Sequence, residues 1–551
     1  MSSIITLLIY YWLITFSIIG YGSFFNKYFL RSESKNLGFI GIYGIFSLLL
    51  ISYCSSFFLP HTKFFNSVVL VMGLIIFLIN KEIFNKDLKK LSIIFGFLII
   101  FIFISKNHDD FPYYHFPYTH LLTEYSGMIG LGNFTHGFKT QSSIFYLSSL
   151  WNLPFVEYYL FHISPVFFLG FSNFILINKI EKFLKNNDTN YIIYLSLFSI
   201  IFINIFFYRL AEHGSDRSAM ILIIILIIEL LELINNHKNI KNNSPFLKLF
   251  ILITLIISLK IFYILYIILL LPIFINFINK KSSLLFFIKH KVSYLCLIFI
   301  LILFIVNFFN TGCLMYPVRA LCFENYSWAI PLSEVDSLNN WYQQWAKGGA
   351  SPNYRVENPL LYIQNFNWVQ NWIEVYFFNK VSDYLLGLLF LSLILSLIFF
   401  SKKKKKIIKP KFIFIYLLLI LLTFEWFYFH PALRYGGYHL IALLVFIPLS
   451  IFLSKYSQNI NFFKKKVYFL IFLTILIFFV RNINRLGSEF ELYNYNMLDN
   501  SYYRLEGQNF EIFSRIENIN KCKTKSINNK CKNDPIKNKK INTFNIYYKD
   551  N

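Results

Sequence analysis

The sequence has few charged residues and lacks the motifs that mark many soluble enzymes. Asp, Glu, Lys and Arg make up 15% of its 551 residues, whereas soluble globular proteins contain about 25%. It has no CxxC pair, no Walker loop, no GxSxG elbow and no GxGxxG turn in a βαβ context. These absences argue against an ATP-driven pump and against a serine hydrolase.

Apolar residues fill the sequence instead. It is 56% hydrophobic and 21% aromatic. Apolar runs of roughly 14–22 residues recur along the chain, and about 20 residues are needed to cross the hydrocarbon core of a bilayer. We therefore predict an all-α polytopic membrane protein, a bundle of about 12–14 transmembrane helices joined by loops.

The positive charge of the chain follows its predicted topology. The formal net charge is +24, and lysines cluster in seven short connections such as NKEIFNKDLKK and SKKKKKIIKPK. The positive-inside rule places these connections in the cytoplasm. The charge therefore indicates membrane insertion, and we expect membrane lipids as partners and no nucleic acid.

The alternate connections are predicted to face the outside. They are the turn near residue 60, 106–157, 209–218, the break at Lys260, 310–380, 430–437 and the tail from 481. The predicted regions are N-terminal transmembrane helices (1–90), a transmembrane core (91–480) with outer loops 106–157 and 310–380, and a polar tail (481–551) on the outer face. The segments with unusual polar content all fall in this outer set, so we expect one site on one face of the bundle.

The first outer loop opens on SKNHDDFPYY, directly after a membrane-length apolar run. Asp109 and Asp110 are either a functional carboxylate with a supporting neighbour or caps of the next helix, because Asp is a good N-cap. His108, Tyr114 and Glu124 are further candidates in the same loop. Histidine and carboxylate ligands suit Zn²⁺ or Mn²⁺, but the spacings match no closed zinc motif. No cofactor is certain, and a divalent metal stays open.

Ionisable residues also interrupt later apolar runs. Arg209, Glu212 and Asp216 lie in the turn RLAEHGSDRS, and Lys260 splits a long apolar stretch. Charges at membrane depth mark either a function or an ion pair. The alternative interpretation of this turn is an internal ion-pair network that closes it.

The segment FHPALRYGGYH places Arg434 and Tyr435 beside two glycines. Arginine suits phosphate because its fork of donors binds two oxygens at once. The alternative role for Arg434 is that of an interfacial anchor.

Four of the six cysteines form two close pairs in predicted outer segments. Cys313 and Cys322 share one loop, and Cys522 and Cys531 share the tail. Such pairs are consistent with disulfides in an oxidising compartment.

In the order of these elements the chain resembles the GT-C superfamily of polytopic glycosyltransferases, which includes protein mannosyltransferases, aminoarabinose transferases and family-39-like enzymes. The resemblance spans roughly residues 90–450. It rests on Asp109–Asp110 opening the loop, and on the segments DDFPYYHFPYTHLLTEYSGMIGLGNF, SLKIFYILYIILLLP, TGCLMYPV and PALRYG. Two features differ: about four helices precede the acidic loop instead of one, and the Lys-Pro-Pro element of that group is absent.

The resemblance implies transfer of a sugar from a polyprenyl-phosphate donor to a lipid or glycan acceptor. Such a reaction needs a carboxylate base and cations for the phosphate. The base is then Asp109 or Asp110. The residues that would bind the phosphate are Arg434, Lys260, Arg209 and Arg319. Sugar or acceptor hydroxyls would be oriented by Glu212 and Asp216, and sugar rings would stack on Tyr113, Tyr114 and Trp328. The substrate site would be completed by His108, Glu124 and Tyr435.

The resemblance also implies a bacterial inner membrane location with the active face on the periplasmic or extracellular side. Three other functions stay open. One is a non-catalytic membrane scaffold, which would not need acidic and basic groups gathered on one face. An O-antigen polymerase or ligase is also polytopic with large outer loops, and it need not depend on Asp109 or Asp110. A transporter favours internal repeats and ionisable groups near the bilayer midplane, whereas the charges here lie at helix ends.

Overall fold

The structure is a computed structural model that describes residues 4–549. It leaves out 32–35, 82–84, 105–109, 187–189, 212–213, 237–243, 279–280, 351–355, 357, 402–410, 457–458, 494–510 and 522–533. The first helices are α1 (Ile4–Phe25), α2 (Leu37–Ser56), α3 (Lys63–Asn80), α4 (Asn85–Leu98), α5 (Phe116–Glu124), α6 (Ser143–Ser149), α7 (Ser164–Lys185), α8 (Tyr191–Phe206), α9 (Ser215–Asn236) and α10 (Ser244–Leu259).

The later elements are α11 (Leu271–Ile278), α12 (Lys281–Lys289), α13 (Lys291–Thr311), α14 (Leu332–Lys347), α15 (Pro359–Ile363), α16 (Val369–Trp372), α17 (Ser382–Phe399), α18 (Ile413–Phe429), α19 (Gly437–Ser454), α20 (Ile460–Tyr493) and α21 (Glu511–Lys521). The strands are β1 (Met128–Ile129), β2 (Ile536–Ile541) and β3 (Phe544–Lys549).

Nine helical segments in the described ranges are long and apolar enough to cross a membrane. They are Ile4–Leu30, Leu37–Ser56, Lys63–Asn80, Phe161–Lys185, Ser215–Asn235, Lys291–Thr311, Val369–Phe399, Gly437–Ser454 and Ile460–Leu492. Four shorter apolar helices accompany them: Tyr191–Phe206, Pro245–Leu259, Ile261–Ile275 and Ile413–Phe429. The prediction of an all-α polytopic membrane protein is confirmed at this level, and the GT-C-like arrangement stays a prediction.

Glycines allow the N-terminal helices to pack closely. A Cβ added at Gly20 of α1 would lie 1.9 Å from the carbonyl oxygen of Gly73 in α3. One added at Gly44 of α2 would lie 1.9 Å from the carbonyl oxygen of Ile18. Small residues are the usual means by which membrane helices bring their backbones together, so the first three helices form a tight unit.

Ion pairs lie at both ends of the hairpin formed by α9 and α10. Near one end Asp216 pairs with Lys260, and towards the other end Glu229 pairs with Lys248. Asp216 and Glu229 lie about 20 Å apart along α9, because a helix rises about 1.5 Å per residue. Since a buried charge is costly without a partner, the two pairs fix the register of the hairpin.

The connections predicted to face the outside meet at one end of the bundle, which we call the loop end and define by residues 110–157, 312–350 and 430–437. The backbone N–H of His61 donates to the carbonyl oxygen of Leu122 at 2.9 Å. Lys139 of the first loop pairs with Glu334 of the second. The alternation of connections read from the sequence therefore corresponds to a real clustering of these segments.

The tail packs on the first loop through a small sheet of order β1-β3-β2. β3 runs parallel to β1 and antiparallel to β2. The backbone N–H of Asn545 donates to the carbonyl oxygen of Gly127 at 2.9 Å, so the tail lies at the loop end. The predicted boundary at residue 480 falls inside α20, which runs on without a break.

The loop end carries a disulfide between Cys313 and Cys322. Cys54 and Cys296, which lie within α2 and α13, are free. The second predicted pair, Cys522 and Cys531, lies outside the described residues. The first predicted pair therefore forms a disulfide, and the compartment that the loop end faces stays a prediction.

We predict that maleimide labels Cys313 and Cys322 only after reduction when the protein is isolated from membranes under denaturing, non-reducing conditions. Peptide mass spectrometry locates the label, and Cys54 and Cys296 provide the internal control because they react without reductant. Labelling of Cys313 before reduction would contradict the disulfide and, with it, the prediction that the loop end faces an oxidising compartment.

Candidate functional site

Four charged side chains from four distant segments meet at the loop end. Asp216 accepts from Lys260 through one carboxylate oxygen and from Arg434 Nε at 3.3 Å through the other. A terminal nitrogen of Arg434 lies 3.9 Å from the carboxylate of Asp110. We call Asp110, Asp216, Lys260 and Arg434 the ion cluster; its formal charges sum to zero.

Helix ends and local backbone shape position each of these side chains. Asp216 lies in the first turn of α9, where a carboxylate interacts favourably with the helix dipole. Lys260 is a single extended residue (φ −155°, ψ 116°) between α10 and the 3₁₀ helix Ile261–Leu270. Arg434 lies in the one-turn helix Leu433–Tyr435, and Gly436 follows with φ +148°, a conformation open to glycine.

Exposure increases across the ion cluster from Asp216 towards Asp110 and Arg434. The Asp216 side chain is 12% exposed and that of Lys260 25%, whereas Asp110 is 33% and Arg434 37% exposed. Asp216 is thus the buried anchor of the two cations. Asp110 and Arg434 are the members most exposed to solvent.

Aromatic rings line the ion cluster on several sides. Lys260 Nζ lies 4.9 Å from the ring centroid of Tyr435, and the Arg434 guanidinium lies 5.5 Å from the rings of both Tyr435 and Trp345. Such contacts favour a cation at each position. Tyr342, which follows Trp341 on α14, lies near enough for Arg434 and Asp110 to influence its phenol.

Two phenol groups at the ion cluster stay protonated. The hydroxyl of Tyr114 donates to Asp110 at 3.5 Å. Burial raises the pKa of Tyr114 well above its usual value, and the nearby Asp110 carboxylate adds to the effect. Burial likewise raises the pKa of Tyr435. Both hydroxyls are therefore hydrogen-bond donors and neither is a base.

The donor set of the ion cluster does not resemble a divalent metal site. Both carboxylate oxygens of Asp216 already face cations, so its charge is balanced. In the described ranges no group of three or more His, Cys, Asp or Glu side chains is arranged to hold a metal ion. A divalent metal at this site stays a prediction, because His108 and Asp109 lie outside the described residues.

The structure brings six predicted site residues together: Asp110, Tyr114, Asp216, Lys260, Arg434 and Tyr435. Three others, His108, Asp109 and Glu212, lie outside the described residues. Arg209 is half-buried in the turn between α8 and α9.

The other predicted site residues are placed elsewhere. Glu124 is exposed at the C-terminus of α5, where its charge acts on His120 and Tyr125. Arg319 is 60% exposed and pairs with Asp336. The indole N–H of Trp328 donates to the carbonyl oxygen of Phe308 at 3.2 Å. This bond gives Trp328 a structural role, and its stacking on a sugar ring stays a prediction.

Sequence reasoning missed the contribution of α14. Trp345 and Tyr342 lie in a helix whose sequence, LSEVDSLNNWYQQWAK, is polar and has no charge pattern that marks a site. The spacing of Trp341 and Trp345 was the available signal, because residues at i and i+4 share one helix face.

A second charged cluster inside the bundle was also missed. Lys179 pairs with Glu229 and Glu232, and Lys248 pairs with Glu229. These glutamates lie inside the apolar run of α9 and not in a polar connection between helices. Their pairing with lysines of α7 and α10 accounts for them as internal ion pairs.

The chain belongs to the family described as "Domain of unknown function (DUF8201)". The family matches residues 4–441. That range contains all four members of the ion cluster. No curated protein matches the chain, and no solved structure matches it.

We predict that Asp216→Asn destabilises the protein far more than Asp336→Asn. Removing the anchor leaves Lys260 and Arg434 without their shared counter-ion, which costs about 3 kcal/mol, the lower end of the range for breaking a buried pair. Asp336→Asn breaks only an exposed pair and costs at most about 1 kcal/mol. Denaturation of the detergent-solubilised variants measures both; equal losses would contradict the anchoring role of Asp216.

Proposed function

We propose that this protein is a membrane glycosyltransferase that moves a sugar from a polyprenyl-phosphate donor to a lipid or glycan acceptor at the loop end. The observation that supports the proposal most is the convergence of Asp110, Lys260 and Arg434 at the ends of apolar helices. A lipid-phosphate donor needs its chain in the bilayer and its phosphate at the membrane surface. The position of the ion cluster at the ends of apolar helices fits this requirement.

Lys260 and Arg434 bind the donor phosphate in this proposal. Arginine offers two parallel donors to phosphate oxygens, and lysine adds a mobile ammonium. The buried Asp216 carboxylate holds both cations in place before substrate arrives. Preorganised cations of this kind stabilise the charge that develops on a leaving phosphate.

Asp110 is the proposed base. It takes the proton from an acceptor hydroxyl, whose oxygen attacks the anomeric carbon of the donor sugar. The bond from that carbon to the phosphate oxygen breaks, and polyprenyl phosphate leaves with the electron pair. The hydroxyl of Tyr114, which donates to Asp110, orients the carboxylate for this transfer, as general-base catalysis requires.

The charge distribution favours this function over the transporter alternative. The exposed part of the ion cluster lies at the loop end, and the second charged cluster is internally paired. Transport sites lie near the midplane, typically at broken helices. The polymerase or ligase alternative uses a similar lipid-linked sugar, and dependence on the Asp110 carboxylate distinguishes it from the proposal.

The test is complementation of a deletion strain with Asp110→Asn at matched membrane abundance. We expect loss of the surface or lipid-linked glycan with accumulation of the polyprenyl-linked donor, because loss of a general base lowers the rate by about 10²–10⁴-fold. Mass spectrometry of extracted lipids and glycans measures both. Asp109→Asn in parallel separates the two adjacent carboxylates.

Glu157→Gln is the matched control, since Glu157 is a half-exposed loop-end carboxylate that pairs with Lys63. It should retain the wild-type glycan profile. An unchanged profile in Asp110→Asn and Asp109→Asn would overturn the proposed base and return the polymerase, ligase and transporter functions to consideration.

A further inference from the structure

A row of aromatic side chains leads from the exposed surface of the loop end to the ion cluster. We call Tyr113, His136, Trp341 and Trp345 the aromatic track. They come from three segments: the one-turn helix Phe111–His115, the turn His136–Phe138 and α14. No member of the track belongs to the ion cluster.

Neighbouring rings of the track contact each other at its exposed end. The rings of Tyr113 and His136 lie 5.2 Å apart, and those of His136 and Trp341 lie 6.1 Å apart. Tyr113 is 49% exposed and Trp341 38%. The exposed end of the track therefore presents two large rings on either side of an imidazole, whose plane is tilted by 40° to Tyr113 and by 64° to Trp341.

The track continues to the ion cluster along α14. Trp341 and Trp345 are four residues apart and share one helix face. Trp345 lies 5.5 Å from the guanidinium of Arg434, and its ring centroid lies 5.7 Å from that of Tyr435. A molecule lying along the track thus ends beside the proposed phosphate and base.

Polar groups accompany the rings. The hydroxyl of Tyr113 and Nδ1 of His136 hydrogen-bond at 3.0 Å, which fixes the orientation of both rings. Gln344 lies between the two tryptophans in sequence and is three residues from Trp341, so it borders the same face. Aromatic side chains with a few placed polar groups are typical of the lining of small-molecule sites.

We propose that the aromatic track binds the acceptor, and that the acceptor is a glycan. A sugar ring has a C–H face that packs on an aromatic ring and an edge of hydroxyls that hydrogen-bond to phenol, imidazole and amide groups. An acyl chain would not need the polar groups, and a strongly acidic chain would need cations along the rings. The identity of the acceptor rests on the proposed function, whereas glycan binding by the track does not.

The test is direct binding to a printed array of neutral and acidic oligosaccharides, with the full-length protein in lipid nanodiscs as probe. We expect wild-type protein to bind neutral oligosaccharides and Trp341→Ala to lose about tenfold in affinity, equivalent to about 1.4 kcal/mol. Trp341→Phe, which keeps a ring, should retain most binding. Phe366→Ala removes a 61% exposed ring outside the track and should bind like wild type.

The results separate this inference from the proposed function. Absence of wild-type binding, binding only to acidic glycans, or equal binding by Trp341→Ala and wild type would each overturn the glycan track. Binding that depends on Trp341, together with an unchanged cellular glycan profile in Asp110→Asn and Asp109→Asn, would support the track and overturn the proposed base. Folding of Trp341→Ala is checked by its elution as a single species. If it aggregates, Tyr113→Ala, which removes the other exposed ring of the track, provides the loss-of-binding variant and should also lose about tenfold in affinity.

Discussion

The carboxylate of Asp216 is the constraint on which the loop end depends. It holds Lys260 with one oxygen and Arg434 with the other, and so joins the start of α9, the end of α10 and the segment before α19. Arg434 in turn reaches Asp110 and Trp345, which brings in the first loop and α14. A buried charge is costly without a partner, and the Asp216 side chain is 12% exposed, so these five segments are held together through one buried carboxylate.

Contacts elsewhere in the bundle fix the positions of the helices around the ion cluster. Close packing of α1, α2 and α3 through glycines gives a rigid base, and the internal pairs of Glu229 hold α7, α9 and α10 in register. At the loop end, Glu334 accepts from Lys139 and lies 3.8 Å from Lys549. That one carboxylate therefore ties both loops and the tail together, and it keeps α14 in place beside Arg434.

The sequence predicted the class of fold and much of the site, because hydrophobic length and lysine placement are strong local signals. Asp216, Lys260 and Arg434 were also predicted from the sequence, because a charged residue within or beside an apolar run is a strong local signal. The places of Arg319, Glu124 and Trp328 could not be predicted, since they depend on which way a loop folds back. Trp345 and Tyr342 were missed because a polar helix acquires its role only through packing against a distant segment. Pairing of β3 with β1, over 400 residues away, had no local signal at all.

The proposal that the ion cluster binds phosphate is tested most directly by the binding of polyprenyl phosphate to Arg434→Gln, followed by native mass spectrometry in detergent. Arg319→Gln is the comparison, since it removes an equal charge from an exposed pair at the same end. We expect Arg434→Gln to lose at least about tenfold in affinity, because that is the value of a charge-assisted hydrogen bond to phosphate. We expect Arg319→Gln to bind like the wild-type protein. Equal binding by all three proteins, or an equal loss in both variants, would show that the ion cluster is not the phosphate site.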